Sequence, residues 1–336
     1  GATWTEIHPG QAGFKRPALT AMDRDLRVRN SSCFVVTRKG KLVHEAYFRG
    51  HDPESVGSAY SMTKSFTSIL FGIAVDQGKL SLDDKASKYI TQWQGTPSEN
   101  ITVHDLLANV SGRHWDLATD YRKMAFGVPD KTTFAVGLKQ DEPPGTKWEY
   151  NNSAIQTLQV VLKKATGVEP TDYAQQYIFD PLGMSNTTWE KDGAGNSQMF
   201  SGIVSTCLDM ARFGLMMLRH GEWKGKQIVS ADYVKEATTK SQKFNAAYGL
   251  LWWINDKGPV LGTNLALDGG AGRAPDTDRL APRAPENAFW AIGAGRQMIS
   301  VLPTQGIVAV RMGGAPSDRE SLTPDSFTGD IIDSLR

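Results

Sequence analysis

The segments of this chain with strand character lie at its two ends, and that distribution constrains the fold more than any other feature. Residues 32–48 read as a β-hairpin, two β-branched and aromatic runs flanking Arg38-Lys-Gly-Lys41. Toward the other end, 248–254, 298–302 and 307–311 read as strands, the last two joined by Pro303-Thr-Gln-Gly306. From Ser81 to about Lys240 the apolar spacing is instead helical. Thr102 caps one helix with Asp105 three residues on, and 154–165 forms another that ends at Gly167. Residues 171–179 read as a helix stopped by Asp180-Pro181, and 206–219 as one closed by His220-Gly221. Further helices are expected near 18–27 and 325–335, and 269–286, rich in Gly, Pro, Arg and Asp, reads as a long surface loop. Strands at both ends share a core most simply by meeting in one sheet. The expectation is an α/β (α+β) fold: an antiparallel sheet built from N- and C-terminal segments and flanked by helices, with a mainly helical domain inserted. The sheet domain would comprise 1–80 and 241–336, the helical domain 81–240, with a cleft between them.

One helix carries the chemistry. Phe66, Ile69, Leu70, Ile73 and Ala74 recur with a 3.6-residue period, and Asp76-Gln-Gly78 ends the run. At its start stand Ser61 and Lys64, three apart and so on one helix face, where hydroxyl and amine can meet. First-turn N–H groups, free of intrahelical partners, lie beside Ser61. A lone Ser-x-x-Lys spacing is more often a solvated helix face than a catalytic pair. A second candidate lies on the rigid loop Glu142-Pro-Pro-Gly-Thr-Lys-Trp-Glu-Tyr-Asn-Asn-Ser153, which places Tyr150 and Asn152 two apart. Alone, Tyr150 would be a core aromatic and Asn151 or Asn152 a helix cap.

Together these residues resemble the serine β-lactamase and penicillin-binding-protein superfamily, most closely its class C branch and esterase relatives. Ser61-Met-Thr-Lys64 resembles the first motif and Tyr150-Asn-Asn152 the Tyr-x-Asn second motif. Gly78-Lys-Leu-Ser-Leu-Asp-Asp84, Leu106-Leu-Ala-Asn-Val-Ser-Gly112 and Pro181-Leu-Gly-Met184 frame them in the family's order. The resemblance implies a β-lactamase/transpeptidase-like fold and a serine hydrolase acting through an acyl-enzyme, without metal or cofactor. Ser61 would be the nucleophile, and Lys64 and Tyr150 would share its proton. Asn152 would hold Lys64 and the substrate's acyl-side amide. The Ser61 N–H and one near Ala291, or alternatively Gly293, would form the oxyanion hole. The family's third motif, commonly Lys-Thr-Gly or His-x-Gly, corresponds to 288–297, which contains neither Lys nor His. That departure favours small esters or amides over β-lactams, with a β-lactamase or D-Ala-D-Ala peptidase as the alternative. A binding protein that keeps the fold without turnover is an alternative of another class.

Composition bounds the partners. The formal charge of +1, with basic residues scattered, leaves no footprint for nucleic acid or an anionic membrane. No apolar run approaches the ~20 residues of a membrane span, and the six histidines show no metal-ligand spacing. The expected partner is a small-molecule substrate; oligomeric state stays open. Cys33 and Cys207 either pair or sit as two buried thiols. A start at Gly1 suggests processing, which leaves a periplasmic or secreted location open beside a cytoplasmic one. His114, next to Trp115, is a candidate for the cleft wall or for plain packing.

Overall fold

The structure, a computed structural model, describes residues 3–262, 278–318 and 322–336. After helix α1 (Arg16–Val28) come strands β1 (Ser31–Arg38) and β2 (Lys41–Tyr47), the hairpin expected from the sequence. Lys39 and Gly40 at its turn both have positive φ, 49° and 80°, the two-residue turn whose twist matches that of the flanking strands. Helix α2 (Thr63–Asp76) follows, and much later α3 (Cys207–Leu218). The C-terminal portion supplies β3 (Trp253–Ile254), β4 (Phe289–Gly293), β5 (Gln297–Leu302), β6 (Ile307–Gly313) and helix α4 (Pro324–Asp333).

These strands form one six-stranded antiparallel sheet in the order β2-β1-β6-β5-β4-β3. The N- and C-terminal pieces join at its centre, where β1 pairs with β6 through Val35↔Val310 and its neighbours. The outer edge of β2 is closed by the N-terminal segment: Leu42 donates to Thr5 O and Ile7 to Leu42 O. Side chains alternate between the two faces. Phe34 meets Phe327 of α4 edge-on at 5.8 Å, and Trp290 Nε1 donates to Thr328 Oγ1, so α4 covers one face. The opposite face carries α3. A Cβ on Gly214 would lie 2.5 Å from Val308 and 2.9 Å from Ile299, so only a glycine lets this helix lie so close. A disulfide between Cys33 of β1 and Cys207, the first residue of α3, ties the same layers together.

Helix α2 lies deepest. Every residue from Thr63 to Ala74 is buried, the polar ones of its first half as well as the apolar run from Ile69. Its polar side chains are satisfied by neighbouring loops: Ser65 donates to Leu251 O and Thr67 to Met199 O, while Thr63 Oγ1 accepts from Ile203 N. Phe66 stacks on Phe213 of α3 at 3.7 Å, and Gly72 lies against the Tyr233 ring.

The Thr102–Asp105 capping box forms as expected, and Thr206 caps α3 through Asp209 N. Two expectations are corrected. Of 248–254 only Trp253–Ile254 is a strand: Leu251 has φ 60°, and the N–H groups of Leu250 and Leu251 are taken by Ala237 O and Leu107 O. Those donors serve helix ends rather than a ladder. The helix at 171–179 also does not stop at Asp180-Pro181. It begins at Pro170, widens into a π turn over Gln175–Phe179, continues through Asp180–Leu182 and ends at Gly183 with φ 68°. Wider turns absorb a proline's missing N–H. Of the expected loop 269–286, residues 269–277 lie outside the described residues, and 278–286 run in bends and turns.

Candidate active site

Ser61 sits on the single 3-10 turn Tyr60–Met62 that leads into α2. The turn is held from both sides. Ala59 N donates to Ile203 O, and Met62 N to Ala59 O. Tyr60, immediately before Ser61, has φ 48°, a conformation an aromatic residue adopts only when its surroundings impose it. The strand β4 closes on the same turn. A Cβ on Gly293 would lie 2.3 Å from Ala59 O and 3.2 Å from the backbone nitrogens of Ser61 and Met62. Gly293 is therefore the strand residue that borders the Ser61 amide. Ala291 lies two residues earlier, fully buried opposite Ile299 in the β4–β5 hairpin. Arg311 steadies the end of β4 from behind, donating to the carbonyls of Gly295 and Arg296 in the connecting turn.

Lys64, one turn along, is 2% exposed. Its Nζ donates to Ser61 Oγ at 2.8 Å and to Phe200 O at 3.0 Å, and lies 4.6 Å from the centre of the Tyr150 ring. Among the described residues no carboxylate pairs with it. Burial therefore dominates and pulls its pKa down to about 7, against a smaller upward pull from Asp120. Tyr150, on the loop before the helix Asn152–Gln156, is also buried, and its hydroxyl is hydrogen-bonded to Ser61. Burial, with Tyr248 and Tyr121 adding to it, pushes its pKa well above the usual phenol value. The site thus holds an amine of much lowered basicity and a phenol that keeps its proton at neutral pH, both on one serine hydroxyl.

Asn152 lies in the same wall but is turned elsewhere. Its Nδ2 donates to Asp120 at 2.9 Å, and its Oδ1 is buried without a hydrogen-bond partner of good geometry. Lys64 is held by Ser61 and Phe200 O rather than by Asn152. The cap of the helix is Asn151, whose side chain accepts from Ala154 N. Structure thus brings Ser61, Lys64, Tyr150 and Gly293 together, and gives Asn152 to Asp120 with no bond to Lys64. The sequence reading missed Asp120, a buried carboxylate in a stretch with no motif spacing. It also missed Phe200 O, a backbone group that composition cannot reveal.

Beside Tyr150 opens a cavity of about 550 Å³ whose walls include Trp115, Trp148, Phe244 and Leu261. His114 does not face it as a free imidazole: Asp141 and Asp116 bond its two ring nitrogens at 2.6 and 2.8 Å. Lys147 at the rim pairs with Glu149, while Lys243 is exposed. Strand β4 brings no cation, and Arg279 and Arg283 are paired with Glu286 and with Asp330 and Asp333. Among the described residues no cluster of His, Cys, Asp or Glu could hold a metal ion, and no helix is long and apolar enough to cross a membrane.

Comparison with known proteins gives the chain its relatives. The 6-aminohexanoate-dimer hydrolase of Paenarthrobacter ureafaciens is 24% identical over 314 residues, 81% of this chain and 78% of that protein. Penicillin-binding protein 4* of Bacillus subtilis (strain 168) is 28% identical over 138 residues, 38% of this chain and only 29% of its own length. Among solved structures, a Bacillus anthracis protein provisionally described as a 6-aminohexanoate-dimer hydrolase superposes with a TM-score of 0.77 at 21% identity, over 99% of this chain and 87% of its own. A class C β-lactamase in complex with cefoxitin gives 0.69 at 18% identity, over 97% and 99%. These superpositions show a shared β-lactamase/transpeptidase fold. The Beta-lactamase family model matches residues 20–320, nearly the whole chain, and the chain belongs to that family.

Proposed function

We propose that this protein is a serine hydrolase that cleaves small uncharged esters or amides through an acyl-enzyme on Ser61. The observation that carries the reading is the Lys64 amine, buried, without a carboxylate partner among the described residues, and 2.8 Å from Ser61 Oγ. A lysine with a pKa of about 7 is a competent base at neutral pH, where an ordinary lysine near 10.4 is fully protonated. Ser61 Oγ attacks the substrate carbonyl carbon as its proton passes to Lys64. The carbonyl oxygen takes up the negative charge against the Ser61 N–H and the backbone at the end of β4. Tyr150, which keeps its phenolic proton, passes one to the leaving oxygen or nitrogen as that bond breaks, and is reprotonated from Lys64. A water molecule then repeats the attack on the acyl carbon, giving its proton to the same pair and freeing Ser61.

The aromatic and aliphatic walls beside Tyr150 suit an apolar substituent on the substrate. A substrate carboxylate meets no cation on β4, and a charge-assisted hydrogen bond of that kind contributes about 1.5–3 kcal/mol. Uncharged short-chain esters should therefore exceed β-lactams in kcat/KM. The test compares p-nitrophenyl butyrate, a p-nitroanilide of the same acyl group, the 6-aminohexanoate dimer and nitrocefin under one condition. A tenfold or greater advantage for nitrocefin contradicts the reading and points to a β-lactamase.

A further inference from the structure

We propose that the cavity beside Tyr150 is the site of the leaving group, that it takes a flat apolar alcohol or amine, and that such an alcohol, bound there, captures the acyl group from Ser61 in place of water. The inference rests on the reading that Ser61 carries the acyl group and Tyr150 serves the leaving atom. It assigns one half of the substrate to one side of the site and adds acyl transfer to hydrolysis.

The assignment follows from the directions open at a tetrahedral carbon bonded to Ser61 Oγ. Its oxyanion points to the Ser61 N–H and the end of β4, where Gly293 borders that amide. The leaving atom lies against the Tyr150 hydroxyl, which is hydrogen-bonded to Ser61. The acyl chain takes the direction that remains. Tyr150 is a wall of the cavity of about 550 Å³, and none of the described walls comes from β4. A group that fills this space is therefore attached to the leaving atom.

The walls are largely apolar, and they are held in place. Trp115, Trp148, Phe244, Pro259 and Leu261 line the cavity together with Tyr150. Trp148 meets Tyr248 and Trp253 edge-on at 5.3 and 6.2 Å, and Trp115 Nε1 donates to Asp120. The part of the wall around Leu261 is tied by the fully buried Asn245. Its Oδ1 accepts from Leu261 N at 3.1 Å and its Nδ2 donates to Leu261 O at 3.0 Å, while the adjacent Phe244 N donates to Gln242 Oε1. Of the charged lining residues, Lys147 and Glu149 pair at 2.7 Å and Lys243 is exposed. An aryl group gains aromatic packing there without stripping water from a lone buried charge. Acyl transfer is then acylation run backwards with a new alcohol. The alcohol oxygen bonds to the acyl carbon and its proton passes to the Lys64–Tyr150 pair. The Ser61–acyl bond breaks, and Ser61 Oγ takes that proton back.

The experiment acylates Ser61 with p-nitrophenyl butyrate and supplies benzyl alcohol or 2-methoxyethanol at equal concentration, one primary alcohol flat and apolar, the other polar. Chromatography reads the butyrate ester formed against butyric acid. In wild type, benzyl alcohol should capture the butyryl group about tenfold more effectively than 2-methoxyethanol, the order that burial of one ring provides. Phe244→Ala removes a ring from the wall, and because Phe244 is only partly buried the core stays intact. Leu261→Trp instead fills the space. In both variants the preference for benzyl alcohol should fall to near parity, while the preference between p-nitrophenyl acetate and p-nitrophenyl phenylacetate stays as in wild type. Equal capture of the two alcohols by wild type, or a preference unchanged in either folded variant, overturns the proposal. A variant that alters the acyl preference and not the capture overturns it too, and gives the cavity to the acyl group. If p-nitrophenyl butyrate leaves no butyryl group on Ser61, the hydrolase reading fails instead.

Discussion

Replacing Lys64 by methionine should make the protein more stable, and the gain should vanish as the pH is raised. Lys64 is enclosed, with Ser61 Oγ and Phe200 O as its acceptors and, among the described residues, no carboxylate in contact. Its pKa falls from 10.5 to about 7 on folding, burial being the main cause. Between these values the unfolded chain holds the Lys64 proton and the folded chain does not. Stability must then rise with pH across the window, by up to a factor of ten in the folding equilibrium per pH unit, or on the order of 4 kcal/mol from pH 7 to 10. Methionine is close in length and carries no charge, so it removes this dependence along with two hydrogen bonds worth about 1 kcal/mol each. At pH 7 Lys64→Met should exceed wild type by about 2 kcal/mol; near pH 10 wild type should match or exceed it. Urea unfolding of both proteins at pH 7, 8, 9 and 10 reads the difference directly, because groups common to the two cancel. A difference that stays constant over that range would refute the reasoning, since Lys64 would then titrate alike in both states.

Other substitutions probe the parts around it. Gly293→Ala places a methyl 2.3 Å from Ala59 O, a backbone atom that cannot swing aside, so β4 must retreat from the Ser61 turn. Ester kcat/KM should fall by roughly 10²-fold or more, as when an oxyanion donor is lost; unchanged kinetics would free Gly293 of that part. Tyr150→Phe should lower kcat by roughly 10²-fold. Combined with Lys64→Ala it should cost far less than the product of the two effects, if they act as a unit. The Cys33–Cys207 disulfide spans 174 residues, so its removal in Cys33→Ser should cost about 4–5 kcal/mol in a chain-entropy account. Dithiothreitol should shift the urea midpoint of wild type and leave that of the variant in place.

The sheet was legible from the ends of the chain because hairpins write themselves locally: a Lys-Gly turn between two β-branched runs needs no tertiary information. The helix cap Thr102 was legible for the same reason. Tyr248–Trp252 misled because a run of aromatic and aliphatic residues looks alike whether it enters a ladder or packs as turns against helix ends. Here the destination of two backbone donors, Ala237 O and Leu107 O, decided the matter. At the site, Ser61, Lys64 and Tyr150 stood out through spacing and resemblance. The orientation of Asn152 did not, because it is set by Asp120, 32 residues away in the chain. Cys33 and Cys207 gave no sign of pairing across 174 residues, since only the packing of α3 on the sheet brings them together.

The central claim, that a Lys64-activated Ser61 carries the acyl group, is tested most directly by intact-mass and peptide-mapping spectrometry on samples quenched during ester turnover. The account predicts an added acyl mass on the peptide containing Ser61 in wild type, and neither adduct nor turnover in Ser61→Ala. Turnover that persists in Ser61→Ala, or an acyl group found on another residue, would contradict it.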